Sequence, residues 1–174
     1  MYAVALDTSR NIACSGSMDG SVRIWGLGTG QCQHVLTGHS SLVGLIAISP
    51  SHLVSAAADG TLRVWDPDTG ELRHGLSGKG AVTCFQHDER KVLFGCEGQL
   101  RMWDVRDGSH VRDMLTGVAG VWEVAFKGRW CVAASNREND TVLDVWDFAG
   151  GESADGVGDE ESEYGDDDVE MDTT

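Results

Sequence analysis

The feature that most constrains this chain is one sentence of residues written four times. Its clearest copy is LVSAAADGTLRVWDPDTG, Leu53 to Gly70. Two short alternating stretches flank an Asp-Gly pair, Trp-Asp closes the second stretch, and Thr-Gly closes the following turn. CSGSMDGSVRIWGLGTG (Cys14 to Gly30), FGCEGQLRMWDVRDG (Phe94 to Gly108) and AASNRENDTVLDVWDF (Ala133 to Phe148) repeat it with decreasing fidelity. The closing tryptophans Trp25, Trp65, Trp103 and Trp146 stand 40, 38 and 43 residues apart. A period near 40 that ends in Trp-Asp marks the blade of a β-propeller, a small antiparallel sheet set radially about a channel.

The strands follow from the alternation. The first unit reads as Tyr2–Leu6, Asn11–Ser17, Ser21–Trp25 and Gln31–Leu36, and the second as Leu42–Ile48, His52–Ala57, Thr61–Trp65 and Glu71–Leu76. The third is Ala81–Gln86, Lys91–Cys96, Gln99–Trp103 and His110–Leu115; the fourth is Val121–Phe126, Trp130–Ala134 and Val142–Trp146. Asp19-Gly20 and Asp59-Gly60 favour two-residue hairpins, because both turn positions tolerate positive φ. Within each unit the inner strand is nearly all apolar and the outer strand alternates, as expected of inner strands buried on both faces. Pro50 and Pro67, the two prolines, sit at turns, and no segment sustains a helical period. The expected fold is all-β: a partial WD-repeat β-propeller of about four blades, the last lacking its outer strand.

Fifteen strands do not make a familiar closed ring, since closed propellers commonly carry four to eight complete blades. Gly38-His39 leads into the second inner strand, whereas Met1 stands two residues before Ala3, so the repeat begins in its middle. The expectation is that residues 1–149 form the C-terminal half of a larger propeller. The alternative is a half-propeller that closes with another copy, because an uncapped repeat array exposes apolar faces.

Charge divides the chain at the same boundary. Residues 150–174 hold 11 Asp or Glu and no Lys or Arg, which leaves 17 acids against 13 bases for the remainder. Such a tail has little to bury and repels itself, so it is expected to be a disordered, solubilising end. The body lacks the basic patch of a nucleic-acid binder. No signal peptide or membrane-length apolar run is visible, which points to the nucleus or cytoplasm and away from a membrane. Cys14, Cys32, Cys84, Cys96 and Cys131 stand singly beside apolar runs. They are expected to be buried free thiols in a reducing compartment, without a disulfide frame or zinc site.

Candidate chemistry is sparse. Ser55, His39 and Asp59 could be drawn as a hydrolase triad, but no paired carboxylates or phosphate-cradling glycine loop accompany them. The glycines fall at turns. No cofactor or metal is called for, and no catalytic residue is assigned.

Beyond the generic repeat, GHSSLVGL, LVSAAADGTLRVWDPDTG, AVTCFQHD and GVWEVAFKGRWCVAAS, with VLDVWDF, resemble the final blades of F-box/WD-repeat proteins of the fungal cell-division-control type. The resemblance covers nearly all of residues 1–149. It implies a polar network in which His39, Ser55, Asp59 and Trp65 form a buried hydrogen-bond chain. The first unit keeps Ser15, Asp19 and Trp25; the third has Lys79 and Glu97 in place of the histidine and aspartate. It also implies a non-catalytic substrate receptor of a Skp1–cullin–F-box ubiquitin ligase, whose propeller binds a phosphorylated peptide on its top face. Arginines would grip the phosphate, and aromatic or small residues would hold the flanking Pro. The corresponding top-face positions are Tyr2, Gly44, Thr83, Trp122, Met18 and Ala58. Tyr2 and Trp122 are the expected peptide contacts, with Met18 beside them and Arg137 near the rim as a phosphate candidate. The main phosphate-gripping arginines of the family belong to earlier blades, and the adaptor binds through an F-box; neither occurs in these residues, so this chain alone is expected neither to hold the adaptor nor to bind a phosphorylated peptide well, which the complete propeller would do. A generic WD-repeat scaffold in another intracellular complex is the other reading.

Overall fold

A computed structural model describes residues 1–138 and 140–149. The expected acidic tail, 150–174, lies outside the described residues. Blade 1 comprises β1 (Ala3–Asp7), β2 (Ile12–Gly16), β3 (Val22–Gly26) and β4 (Cys32–Leu36). Blade 2 comprises β5 (Val43–Ile48), β6 (Leu53–Ala57), β7 (Thr61–Trp65) and β8 (Leu72–Ser77). Blade 3 comprises β9 (Cys84–His87), β10 (Lys91–Cys96), β11 (Gln99–Asp104) and β12 (His110–Thr116). Blade 4 comprises β13 (Gly120–Lys127), β14 (Trp130–Arg137) and β15 (Asp140–Asp147). Every sheet is an antiparallel meander in chain order, and the fourth has three strands among the described residues. The expected all-β blade architecture is therefore present. β9 begins three residues later than its apolar run; just ahead of it the Thr83 hydroxyl donates to the Val121 carbonyl at 2.6 Å.

The blades stack face to face, and the core is three inter-blade layers rather than one centre. Ile12, Cys14, Val22 and Ile24 of blade 1 pack against Val43, Leu53 and Trp65 of blade 2. Val54, Leu62 and Val64 on the opposite face of blade 2 meet Val92 and Phe94 of blade 3. Leu93 and Leu100 of blade 3 meet Val124, Phe126 and Cys131 of blade 4. Strand alternation sends successive side chains to opposite faces, so one sequence furnishes both layers. Full burial of each such Val, Leu or Phe contributes about 1.5–3 kcal/mol. The last layer is also stitched by Gln86, whose amide donates to the Phe126 carbonyl at 3.1 Å and accepts the Phe126 N–H.

Two expectations are corrected. The most buried strands are the second ones, with all five residues of β6 buried, whereas β5 is mostly half-buried. The inner strands line a central channel that keeps one side of them open: Ala3, Leu45, Thr83, Phe85 and Glu123 bound the same cavity. Nor are the Asp-Gly turns two-residue hairpins with both residues at positive φ. Asp19 and Asp59 stay out of that region, while Gly20 and Gly60 sit at φ 79°. Each carboxylate instead accepts the N–H two residues on, Asp19 from Ser21 and Asp59 from Thr61, both at 2.9 Å. That local bond favours Asp there. A Cβ on Gly20 would stand 2.6 Å from the His39 carbonyl, and one on Gly60 would stand 2.7 Å from the Gly80 carbonyl. These glycines let the lead-in of the next blade lie directly on the turn.

Candidate protein-binding rim

β1, β5, β9 and β13 all start at the same end of the channel. Tyr2 precedes β1 and is held there by its N–H on the Gly16 carbonyl at 2.9 Å. Met18 tops the β2–β3 turn of the same blade. Trp122 lies where β13 shifts register between Val121 and Glu123, a bulge that turns its side chain outward. Tyr2, Met18 and Trp122 are each more than half exposed. Their neighbours Ala3 and Glu123 line the channel. Tyr2, Met18 and Trp122 are thus exposed groups on one rim, Tyr2 and Met18 at one end of the blade array and Trp122 at the other. Gly44, Thr83 and Ala58 occupy the rim between them.

Arg137 ends β14 at this rim, but its charge is already engaged. Its guanidinium donates to the Asp144 carboxylate at 2.6 Å, and Asp144 also accepts from Ser135 at 3.2 Å. As a phosphate ligand Arg137 would have to leave that carboxylate. The sequence offered no warning, because the partner lies seven residues away on the facing strand. Glu123 at the channel wall is a rim residue the sequence reading passed over; its carboxylate opposes an anion there.

Beneath the rim, His39, Ser55, Asp59 and Trp65 form the expected chain. The Trp65 Nε1–H donates to Ser55 Oγ at 2.8 Å, and Ser55 Oγ meets His39 Nε2 at 2.9 Å. His39 Nδ1 lies 3.0 Å from Thr61 Oγ1 and 3.3 Å from Asp59. Ser40 N–H also donates to Asp59 at 2.8 Å. Ser55 is 0% exposed and occupied on both sides, so no substrate reaches its hydroxyl. What resembles a triad on paper is a strut. Burial lowers the His39 pKa against the opposing pull of Asp59. Burial alone would raise that of Asp59, but the donors Thr61 and Ser40 outweigh it and hold the carboxyl at about 2.

The strut decays along the chain. In blade 1 Trp25 still donates to Ser15 at 2.9 Å, without a histidine. In blade 3 the residue facing Arg101, where Ser55 faces Arg63, is Phe94. Trp103 Nε1 is consequently buried with no acceptor, and its ring rests edge-on against His110. The thiols need one correction: Cys14, Cys84, Cys96 and Cys131 are buried as expected, but Cys32 is exposed. It starts an outer strand, which sits at the perimeter of the sheet. Among the described residues no three His, Cys, Asp or Glu gather as a metal set.

Comparison with known proteins agrees with this architecture. The family model "WD domain, G-beta repeat" matches residues 1–26 and 30–66. Cell division control protein 4 of Candida albicans is 48% identical over 156 residues, which is 86% of this chain and 23% of that protein. Regulator of rDNA transcription protein 13 of Saccharomyces cerevisiae is 33% identical over 172 residues, covering 86% of this chain and 93% of that protein. The chain therefore spans about a quarter of the former's length and nearly all of the latter's. Among solved structures, the computationally designed Ika4 protein superposes with a TM-score of 0.75 at 30% identity, covering 83% of this chain and 89% of that one. The computationally designed Ika8 protein superposes with a TM-score of 0.72 at 30% identity, covering 82% of this chain and 45% of that one. The chain belongs to the WD-repeat family, as a non-catalytic propeller module homologous to cell division control protein 4.

Proposed function

We propose that the rim of this module binds a phosphorylated peptide segment, in the manner of a ubiquitin-ligase substrate receptor of the F-box/WD-repeat kind. The observation that carries the reading is the joint exposure of Tyr2, Met18 and Trp122 on one rim of a chain 48% identical to cell division control protein 4. Aromatic faces give a Pro-containing peptide a large apolar contact at small entropic cost. The phosphate is the weaker half of the site in these blades, since Arg137 is held by Asp144 and Glu123 faces the channel. Phosphate-gripping arginines and an F-box would come from outside these residues. The setting of such a receptor is the nucleus or cytoplasm.

Selection of a phosphopeptide library on the full chain tests this. The expected result is enrichment of phosphothreonine-proline peptides that disappears in Trp122→Ala and Tyr2→Ala. The variant Asp144→Asn should release Arg137 and sharpen the preference for phosphorylated over unphosphorylated forms. No enrichment, or enrichment indifferent to Trp122 and Tyr2, would contradict the reading. A scaffold role in another complex is favoured by the match along 93% of the rDNA transcription regulator. It would show as binding indifferent to phosphorylation.

A further inference from the structure

The two terminal blades each carry a bare face, and the two faces are opposite halves of the same layer. Register fixes the correspondence. Val4 pairs with Ser15 and Leu6 with Ala13 in blade 1, where Ile46 pairs with Ser55 and Ile48 with Leu53 in blade 2. Val4 and Leu6 therefore hold the positions at which Ile46 and Ile48 pack onto the preceding blade. With no preceding blade among the described residues, Val4 is 61% and Leu6 57% exposed. At the other end, Val132 pairs with Val145 and Ala134 with Leu143, where Val54 pairs with Val64 and Ala56 with Leu62. Leu62 and Val64 are 0% exposed against the following blade; Leu143 and Val145 are 67% and 59% exposed. Same chemistry and same register give opposite exposure because no further blade stands beside these faces among the described residues. Apolar faces of this extent on a folded module mark an interaction surface.

We propose that a second copy of this chain covers both faces, blade 4 of each copy packing on blade 1 of the other to close one eight-bladed ring. Each copy supplies the half-layer that the other lacks, so the two junctions are identical and both bare faces are covered together. A head-to-tail contact of this kind closes when its rotation returns after a whole number of copies. Curvature supports two copies. The four blades superpose on 89% of one designed chain and, almost equally well, on 45% of another. At about 40 residues per blade, the uncovered part of the longer chain has room for about four more blades. Four blades bent as these are thus take up about half of the longer one. A ring of two copies leaves no place for the arginine-bearing blades of the proposed receptor, so the mass measurement below stands apart from the peptide-binding test. The ring would bring Tyr2 of each copy beside the blade 4 of the other, and with it Trp122.

Sedimentation equilibrium and light scattering of the full chain provide the test. The expected mass is twice the 18.6 kDa of one chain. Two variants sharpen it: Val4→Glu with Leu6→Glu on one face, and Leu143→Glu with Val145→Glu on the other. Each alone should sediment as a monomer with its strand circular dichroism intact, since the substituted side chains are exposed in the single chain. Mixed together they should form a 1:1 pair, because one junction then retains two unaltered faces. A folded wild-type monomer, a mass other than two copies, or species that grow with concentration would overturn the proposal. So would two folded variants that stay apart on mixing. Should a variant fail to fold, the wild-type mass alone decides.

Discussion

Ser55 holds two buried side chains at once, accepting from Trp65 and meeting His39 Nε2. Ser55→Ala leaves both without that partner in a site closed to water, and a loss of about 2–3 kcal/mol is expected from denaturant unfolding. The histidines set a pH dependence. Burial first of all lowers the pKa of His39 and His52, and brings that of His87 to about 4. Their unfolded forms bind more protons near pH 6.5 than the folded forms do, so stability is full above that pH and falls as pH drops below it. Each histidine contributes at most about 1.4 kcal/mol for each pH unit. Asp59, held at about 2, adds a second loss below its unfolded value near pH 4. Thermal melts from pH 8 to pH 5 should show a falling Tm, and a flat profile would contradict the burial of these rings. The thiols provide a third check. Burial pushes Cys14 and Cys131 up to about 11, whereas Cys32 is open to solvent. Peptide mapping after brief alkylation should find Cys32 modified first. The quartet His39, Ser55, Asp59 and Trp65 was legible from spacing within a family pattern, but the exposure of Cys32 was not. An alternating outer strand does not announce which of its faces is the perimeter.

Among the elements, the turns carry more of the fold than their sequences reveal. The Asp-Gly pair reads as a hairpin signal, yet its specific work is to seat the next blade. Gly60→Ala forces a Cβ to 2.7 Å from the Gly80 carbonyl at φ 79°, where L side chains are strained. A loss of about 1–3 kcal/mol is expected, larger than the ~0.5 kcal/mol of an ordinary surface change. Gly44→Ala, with nothing within 4 Å of its Cβ, is the control that should leave stability nearly unchanged. All fifteen strands were readable because each has a face to bury and a period of two. Their ends were less so: β9 starts at Cys84, three residues into its apolar run, and β14 runs on to Arg137 through pairing with Asp140. Strand ends depend on pairing with the neighbouring strand, which one strand's own residues do not carry.

At the scale of the whole molecule, blade order follows from the chain, while what covers the terminal faces does not follow from any one strand. Val4 and Leu143 look like core residues in the sequence, and each would be core with one more blade beside it. Hydrogen exchange should find β6 and β10, each between two covered layers, the most protected strands, and β15 the least. The candidate rim was legible only in part. Tyr2 and Trp122 stand where the repeat positions them, but the engagement of Arg137 by Asp144 depends on strand pairing. Peptide binding by the aromatic rim is read by calorimetric titration of a selected phosphothreonine-proline peptide into the full chain. Trp122→Ala should weaken binding about tenfold, close to 1.4 kcal/mol, with the fold unchanged by circular dichroism. An affinity that Trp122→Ala leaves unaltered would contradict it.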